Sequence, residues 1–494
     1  MKLVSIAISC VVVSACDSDF DNPVGNSSSY NSGDADFTKF VSIGDSLTAG
    51  YADAALYIAG QESSYPAILA QQFAQVGGGA FNQPLVNDNL GGLLFLGNPD
   101  PDFANRLVLD AETESPEPIA GSPTTEVFSL QAGPFNNVGV PGAKSFHLGA
   151  PGYGDGAGLG AGTANPYFVR FASSTTTTVI ADAASQLPSF FVMWIGNNDV
   201  LSYATTGGTG VDQVANPDPT TYGFDDITSP VAFAGVYAQL VGAVTGANPA
   251  AKGVLVNIPD VSTIPFFTTV PHNPVPLDQA NADALNAAYA AYNGGLLAAQ
   301  SASLIDAAEV AQRTIIFAPG QNAVVIIDED LTDITGVDPA LIKLRQATAA
   351  DLLVLTTSST IGTLADPNNP ASAIGLGVPL SDADVLIPSE IQAIDTARLA
   401  FNTTIKATAD ANPNLLFVDA AAILAELDLT GVDYGTGFIN SEYATGGAFS
   451  LDGVHPTARG YALVANRIIA EINAGFNANI PPVDPGAYST VFIK

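Results

Sequence analysis

Short runs of apolar residues recur along the chain, and most are apolar at every position rather than at alternate ones. Strands that carry helices on both faces have this pattern, whereas a strand with one face in water alternates. The runs therefore predict the strands of one covered sheet. The five predicted strands are 37–43, 127–130 leading on to 136–140, 190–195, 253–258 and 415–419.

Longer segments with helical composition separate these runs. Pro388 and Pro456 stand where two of them begin, a position at which the missing N–H of proline costs nothing. Strands that alternate with helices predict an α/β fold of three layers, α/β/α, around a central, mostly parallel five-stranded sheet. The predicted helices are 65–75, 179–186, 230–245, 277–299, 389–411 and 456–474.

Two segments break the alternation within a domain predicted for 37–480. Residues 82–125 are rich in Gly, Pro, Asn and Asp, and residues 303–384 contain short apolar runs of their own. We predict that both are insertions and that the second forms a small subdomain or lid. Residues 481–494 are predicted to be a C-terminal tail.

The first sixteen residues combine a basic residue, an apolar stretch and a cysteine. Lys2 precedes an apolar stretch that is too short to span a bilayer, and Val13-Ser14-Ala15-Cys16 resembles the lipobox of bacterial lipoproteins. This predicts a signal peptide at 1–15, an acylated Cys16, and a flexible acidic tether over 16–36. The protein would then be lipid-anchored in the cell envelope, at the outer membrane or the cell surface. A plain secretory signal with a chance cysteine is the alternative.

Charge excludes several classes of function. The 494 residues include 14 basic and 48 acidic ones, a formal net charge of −34, which disfavours binding to nucleic acid or to anionic membrane surfaces. Only three His and two Cys are present, so we predict no metal and no other cofactor. Asp328-Glu329-Asp330 with Asp333 could bind calcium, but the spacing is not that of an EF-hand and favours a solvated acidic face.

Residues suited to nucleophilic catalysis follow the predicted strands. Ser46 comes after Gly44-Asp45 at the end of the first strand, and Asn198 follows the third. Asp452 and His455 are three residues apart before the last helix, a spacing that lets the carboxylate orient the imidazole. The carboxyl ends of parallel strands share one edge of a sheet, where ligands bind.

The order Gly-Asp-Ser-Leu, glycine after the second strand, Gly-x-Asn-Asp and Asp-x-x-His resembles that of the SGNH (GDSL) hydrolase family. This resemblance implies the flavodoxin-like SGNH hydrolase fold and a serine mechanism. Ser46 would be the nucleophile, and His455 the general base and then the acid. Asp452 would orient the imidazole and stabilise its charged form.

The resemblance also implies an oxyanion hole. Its donors would be the backbone N–H groups of Ser46 and Gly142 and the side-chain amide of Asn198. Pro141 stands where the family often has Ser or Gly, so Gly139 is the alternative to Gly142.

The predicted activity is hydrolysis of carboxylic esters by a serine esterase or lipase. A carbohydrate O-acetyl esterase or an acyltransferase of the same fold is the alternative, and an inactive surface binding lipoprotein is a third hypothesis. The apolar runs at 324–327 and 352–355 favour hydrophobic acyl groups. The expected partners are a small-molecule, lipid or acylated-carbohydrate ester and, through the lipid anchor alone, a membrane.

Overall fold

The computed structural model describes residues 30–494, so the predicted signal peptide and Cys16 lie outside the described residues. Its central sheet has five strands, all parallel, in the order β5-β4-β3-β1-β2. The predicted α/β fold with a five-stranded sheet is confirmed. The strands are β1 (Phe40–Gly44), β2 (Asn137–Gly139), β3 (Phe190–Trp194), β4 (Lys252–Val256) and β5 (Leu415–Val418).

Ten principal helices lie in the described part of the chain, around the sheet and in the second insertion. The helices are α1 (Ser46–Ala49), α2 (Tyr65–Ala74), α3 (Val179–Ala184), α4 (Asn198–Thr205), α5 (Pro230–Ala247), α6 (Gln279–Ser301), α7 (Ala307–Arg313), α8 (Pro388–Asp410), α9 (Ala420–Leu429) and α10 (Ala458–Gly475). Among the described residues, α5 is long and apolar enough to cross a membrane, but its buried face packs into the core of the domain. Single-turn helices at Ile58–Glu62, Pro166–Val169 and Pro265–Thr268 lie in the connections.

The sheet has a core on each face, which explains the uninterrupted apolar runs. In β3, Phe190 and Val192 join a core formed with α2 and α10, whereas Phe191 and Met193 join a core formed with α3, α5 and α8. All four side chains are fully buried. Successive side chains of a strand point to opposite faces, so every position of such a strand must be apolar.

The predicted strand at 127–130 is not a strand. Phe128 and Leu130 are exposed, and only Thr125–Glu126 pairs, in a small sheet with Leu93–Phe95 and Asn98–Pro99. Leu107–Asp110 and Ser115–Pro118 form a second hairpin in this predicted insertion. The run therefore belongs with the insertion, and β2 forms from 137–139 alone.

The second insertion begins earlier than residue 303. Helix α6 was expected to cover the sheet, yet Leu285, Tyr289 and Tyr292 are buried in a separate core with residues of 305–376. The reason is that the apolar runs of the insertion must themselves be buried, and the apolar stripe of α6 packs against them. The strand pairs of this subdomain are Val275–Leu277 with Gly320–Asn322, Val325–Ile327 with Leu344–Gln346, and Leu352–Leu353 with Val385–Leu386.

Both ends of the described chain pack on the domain. Asn31 bridges to Asn479, and the Asp34 N–H donates to the carbonyl of Phe476 at 2.7 Å, so the last residues of the predicted tether are held in place. The predicted C-terminal tail is held as well, because the Leu109 N–H donates to the carbonyl of Phe492 at 2.8 Å.

A further short hairpin is formed by Val432–Asp433 and Phe438–Ile439.

Candidate active site

Ser46 is the first residue of α1, directly beyond the end of β1. Asp45 caps this helix through its Oδ1, which accepts the Leu47 N–H at 3.0 Å. Gly44 pairs with both Gly139 and Trp194, so the ends of the three neighbouring strands lie at one level. A Cβ on Gly44 would lie 2.2 Å from the carbonyl oxygen of Trp194, which explains the glycine. This arrangement presents Ser46 at the carboxyl edge of the sheet.

Asp452 and His455 form a tight turn before α10. The Oδ1 of Asp452 accepts the N–H groups of Val454 and His455, each at 2.8 Å. Its Oδ2 lies 2.9 Å from Nδ1 of His455, and Nε2 of His455 lies 2.9 Å from Oγ of Ser46. An ionised carboxylate only accepts, so Nδ1 carries the proton and Nε2 is free to accept the Ser46 hydroxyl proton. The structure thus brings Ser46 to Asp452 and His455, which lie about 400 residues further along the chain.

The carboxylate is held in its ionised form. Burial raises the pKa of Asp452, but the charge of His455 and the hydrogen bonds from His455 and Ala54 outweigh burial and lower the pKa to about 2. Asp45 behaves in the opposite way. Its burial raises the pKa to about 6, although the Asn197 amide, which donates to Oδ2 at 2.8 Å, opposes the increase.

Three donors face the same edge of the sheet. Within residues 30–494, neither the Ser46 N–H nor the Gly142 N–H has a hydrogen-bond partner. Gly142 has φ +77°, a left-handed conformation that glycine adopts without cost. The Asn198 side chain is buried and donates one amide hydrogen to the carbonyl of Ala143 at 3.0 Å, which fixes the amide while its second hydrogen stays available.

Gly139, the alternative to Gly142, is placed differently. It lies within β2, and its N–H donates to Oδ1 of Asn137 at 2.9 Å. A Cβ there would lie 2.4 Å from the backbone nitrogen of Ala49. Gly139 therefore allows α1 to pack closely on β2. Of the two glycines, Gly142 is the one whose backbone N–H is available to a ligand.

A turn at residues 52–55 supports the site and was not anticipated. Asp53 and Ala54 have φ +53° and +62°, and non-glycine residues in this region often mark functional sites. The Ala54 N–H donates to Oδ2 of Asp452 at 2.9 Å. Ser450 donates to Oδ1 of Asp452 at 3.0 Å and accepts the Asp53 N–H at 2.9 Å. Because the turn contains no glycine, nothing local in the sequence pointed to it.

Aromatic and apolar side chains surround the turn that carries Asp452 and His455. The ring of Tyr51 lies 4.7 Å from that of His455. A Cβ on Gly453 would lie 2.9 Å from Leu355, which comes from the second insertion, and 3.0 Å from the backbone nitrogen of Phe266. An apolar cavity of about 80 Å³ lies beside this region. Its lining includes Leu47, which follows Ser46 in the chain, and Val454, which precedes His455.

The acidic run predicted as a solvated face is divided in the structure. Asp328 is buried and paired with Arg345, whereas Glu329 lies beside Asp382 and Glu390. Within the described residues, these three carboxylates are the one group of side chains spaced to hold a metal ion. They lie outside the Ser46 site.

Comparison with known proteins gives one match. Neither the curated proteins nor the solved structures yielded a match to this chain. The GDSL-like lipase/acylhydrolase family matches residues 40–468, a span that includes all four sequence blocks and both insertions. This match supports an ester-hydrolysing activity in general. The chain belongs to the GDSL-like lipase/acylhydrolase family.

Proposed function

We propose that the protein is a serine esterase that cleaves carboxylic esters through an acyl-enzyme on Ser46. The observation that carries the proposal is the relay of two 2.9 Å contacts from Oγ of Ser46 through the imidazole of His455 to Asp452. Nucleophile, base and orienting carboxylate in this order are the elements of a catalytic triad. The family match, which covers ester hydrolysis only in general, is consistent with it.

In the first step, Oγ of Ser46 attacks the ester carbonyl carbon while Nε2 of His455 takes the hydroxyl proton. The imidazolium that forms is stabilised by Asp452, whose low pKa keeps it ionised at neutral pH. The imidazolium then gives its proton to the leaving alcohol oxygen as the C–O bond breaks. Water repeats the sequence on the acyl-enzyme and releases the acid, whereas an acceptor alcohol in place of water would make the protein an acyltransferase.

The carbonyl oxygen becomes an oxyanion in both steps. We assign its stabilisation to the N–H groups of Ser46 and Gly142 and to the Asn198 amide, because these donors are unpaired or partly unpaired at the edge where Ser46 lies. Donors that are already oriented cost no reorganisation during the reaction.

Side chains around Gly453 and Leu47 bear on the acyl group. Within the apolar runs at 324–327 and 352–355, Val324, Ile326 and Leu353 are fully buried inside the subdomain. Leu355, the last residue of the second run, and Phe266 lie close to Gly453, and together with the apolar cavity beside Leu47 they support an alkyl chain. A carbohydrate O-acetyl esterase would act best on acetyl groups.

We also propose that the domain is anchored to the cell envelope through a lipid on Cys16. The support is the lipobox-like sequence alone, since residues 1–29 are outside the described part of the chain. With 31–35 already paired to the domain, the segment before residue 30 would set the distance to the membrane.

The test is the rate of hydrolysis of p-nitrophenyl acetate, butyrate, octanoate and palmitate by the wild type, Ser46→Ala and Ser42→Ala. Ser42 is a matched control because it lies on β1 and its buried hydroxyl has no hydrogen-bond partner. We expect activity and labelling by a fluorophosphonate to be lost only in Ser46→Ala. Equal rates in all three proteins would overturn the esterase proposal and favour the binding lipoprotein. A maximum at acetate would favour the carbohydrate esterase.

A further inference from the structure

Three carboxylates meet where the second insertion joins the α/β core. Glu390 is near the start of α8, and Glu329 and Asp382 come from the subdomain. One oxygen atom from each lies within 4.8 Å of the other two. Glu329 is exposed, Asp382 is half-buried and Glu390 is only 4% exposed, so the group is open to solvent on the side of Glu329.

Glu390 supplies a buried oxygen with no donor. Its Oε2 accepts the Ile387 N–H at 2.8 Å and caps α8, whereas its Oε1 is buried and has no hydrogen-bond partner among the described residues. Ionised carboxylate oxygens that lack both water and a donor are strongly destabilising. Oε1 therefore requires a positive charge or a proton.

A glycine makes room for this oxygen. Gly208 follows α4 with φ +81°, and a Cβ there would lie 1.7 Å from Oε1 of Glu390. At the preceding Gly207, a Cβ would lie 2.2 Å from the main-chain carbonyl oxygen of Asp382. The two glycines thus let the end of α4 approach the carboxylate cluster closely.

Within residues 30–494, the cluster has no compensating basic side chain. None of its three carboxylates forms an ion pair, and Lys343 binds the main-chain carbonyl of Glu329 rather than a carboxylate. Three ionised carboxylates this close repel one another unless a cation lies between them or one of them holds a proton.

We infer that Glu329, Asp382 and Glu390 bind a divalent cation, of which calcium fits best, and that this ion fastens the insertion to the α/β core. Hard carboxylate oxygens are the preferred ligands of calcium, and its flexible coordination of six to eight oxygens tolerates an irregular site. The open side at Glu329 leaves room for the water ligands that would complete the shell. Magnesium requires a nearly ideal octahedron and fits such a site less well.

The experiment compares calcium binding to the full chain, to Glu329→Gln and to Asp330→Asn by titration calorimetry in 0.15 M NaCl. Glu329 is exposed, so its substitution leaves the fold intact, and Asp330 is an equally exposed neighbour whose side chain lies outside the cluster. We expect one site in the wild type and in Asp330→Asn, and an affinity at least tenfold lower in Glu329→Gln. Equal binding by all three proteins would assign the calcium to diffuse surface charge and overturn the inference.

Thermal unfolding provides a second measurement that does not depend on esterase activity. A ligand at about 100 times its Kd raises the Tm of a chain of this size by about 3 °C. We expect that increase with calcium for the wild type and Asp330→Asn, and at most about half of it for Glu329→Gln and Glu390→Gln. If no protein responds to calcium and Glu390→Gln alone has a higher Tm, a shared proton rather than a cation occupies the cluster, and the inference fails.

Discussion

Asp45, the residue before the proposed nucleophile, allows the effects of burial and hydrogen bonding on stability to be compared by experiment. Its carboxylate is completely buried and accepts hydrogen bonds from the Leu47 N–H and the Asn197 amide. Burial outweighs these bonds and raises the pKa from 3.8 to about 6. We predict that Asp45→Asn, which keeps the shape and the cap but removes the charge, stabilises the protein at pH 8.

The magnitude follows from the pKa. At pH 8 the ionised Asp45 destabilises the folded state by about 3 kcal/mol, because each unit of pKa shift corresponds to about 1.4 kcal/mol. The pH dependence of stability is that of an acid whose pKa is higher in the folded state. Between pH 3.8 and 6 the folded state binds more protons than the unfolded state, so the protein loses stability as the pH rises through that window. The Oδ1 of Asn197 is buried without a partner, so this amide can rotate to accept a hydrogen bond from the amide that the substitution introduces.

The assay is urea unfolding of the wild type and Asp45→Asn at pH 8 and pH 4.5, with the difference between the two proteins taken at each pH. The contributions of the other titrating groups to the free energy of unfolding cancel in this difference. We expect the advantage of the variant to shrink by about 2 kcal/mol at pH 4.5, where Asp45 of the wild type is protonated. A variant that is less stable than the wild type by the same amount at both pH values would refute the reasoning. The bonds to Leu47 and Asn197 would then outweigh the cost of burial.

Three further changes test the proposed roles. Asp452→Asn replaces the carboxylate that holds the proton of His455 on Nδ1. The imidazole then no longer keeps the tautomer that leaves Nε2 free, so kcat on p-nitrophenyl butyrate should fall by about 10⁴-fold. A decrease below tenfold would contradict this role. Gly142→Ala has space for its Cβ but φ +77°, so it should destabilise the folded protein by about 1–2 kcal/mol. Alanine keeps the N–H, so kcat should fall, by up to about 100-fold, only as far as the strained turn relaxes and moves this donor. An unchanged free energy of unfolding together with an unchanged kcat would contradict a strained donor at this position. Cys16→Ala should abolish metabolic labelling with a palmitate analogue, and persistent labelling would exclude Cys16.

Local patterns in the sequence determined the sheet and most of the site. Strands such as β3 are apolar at every position because both faces are covered, and this property is visible without a structure. Ser46, Asn198, Asp452 and His455 could be predicted as neighbours because the ends of parallel strands and the final helix converge on one edge. Each of these inferences depends on a few consecutive residues.

Only the tertiary structure decided how distant segments meet. Helix α6 covers the insertion rather than the sheet, since an apolar stripe specifies that it is buried but not against what. The turn at 52–55 contacts Asp452 through the backbone N–H of Ala54, a group that every residue except proline possesses and that leaves no mark in the sequence. Glu329, Asp382 and Glu390 come together for the same reason, because long-range packing rather than sequence spacing sets the distance between their carboxylates.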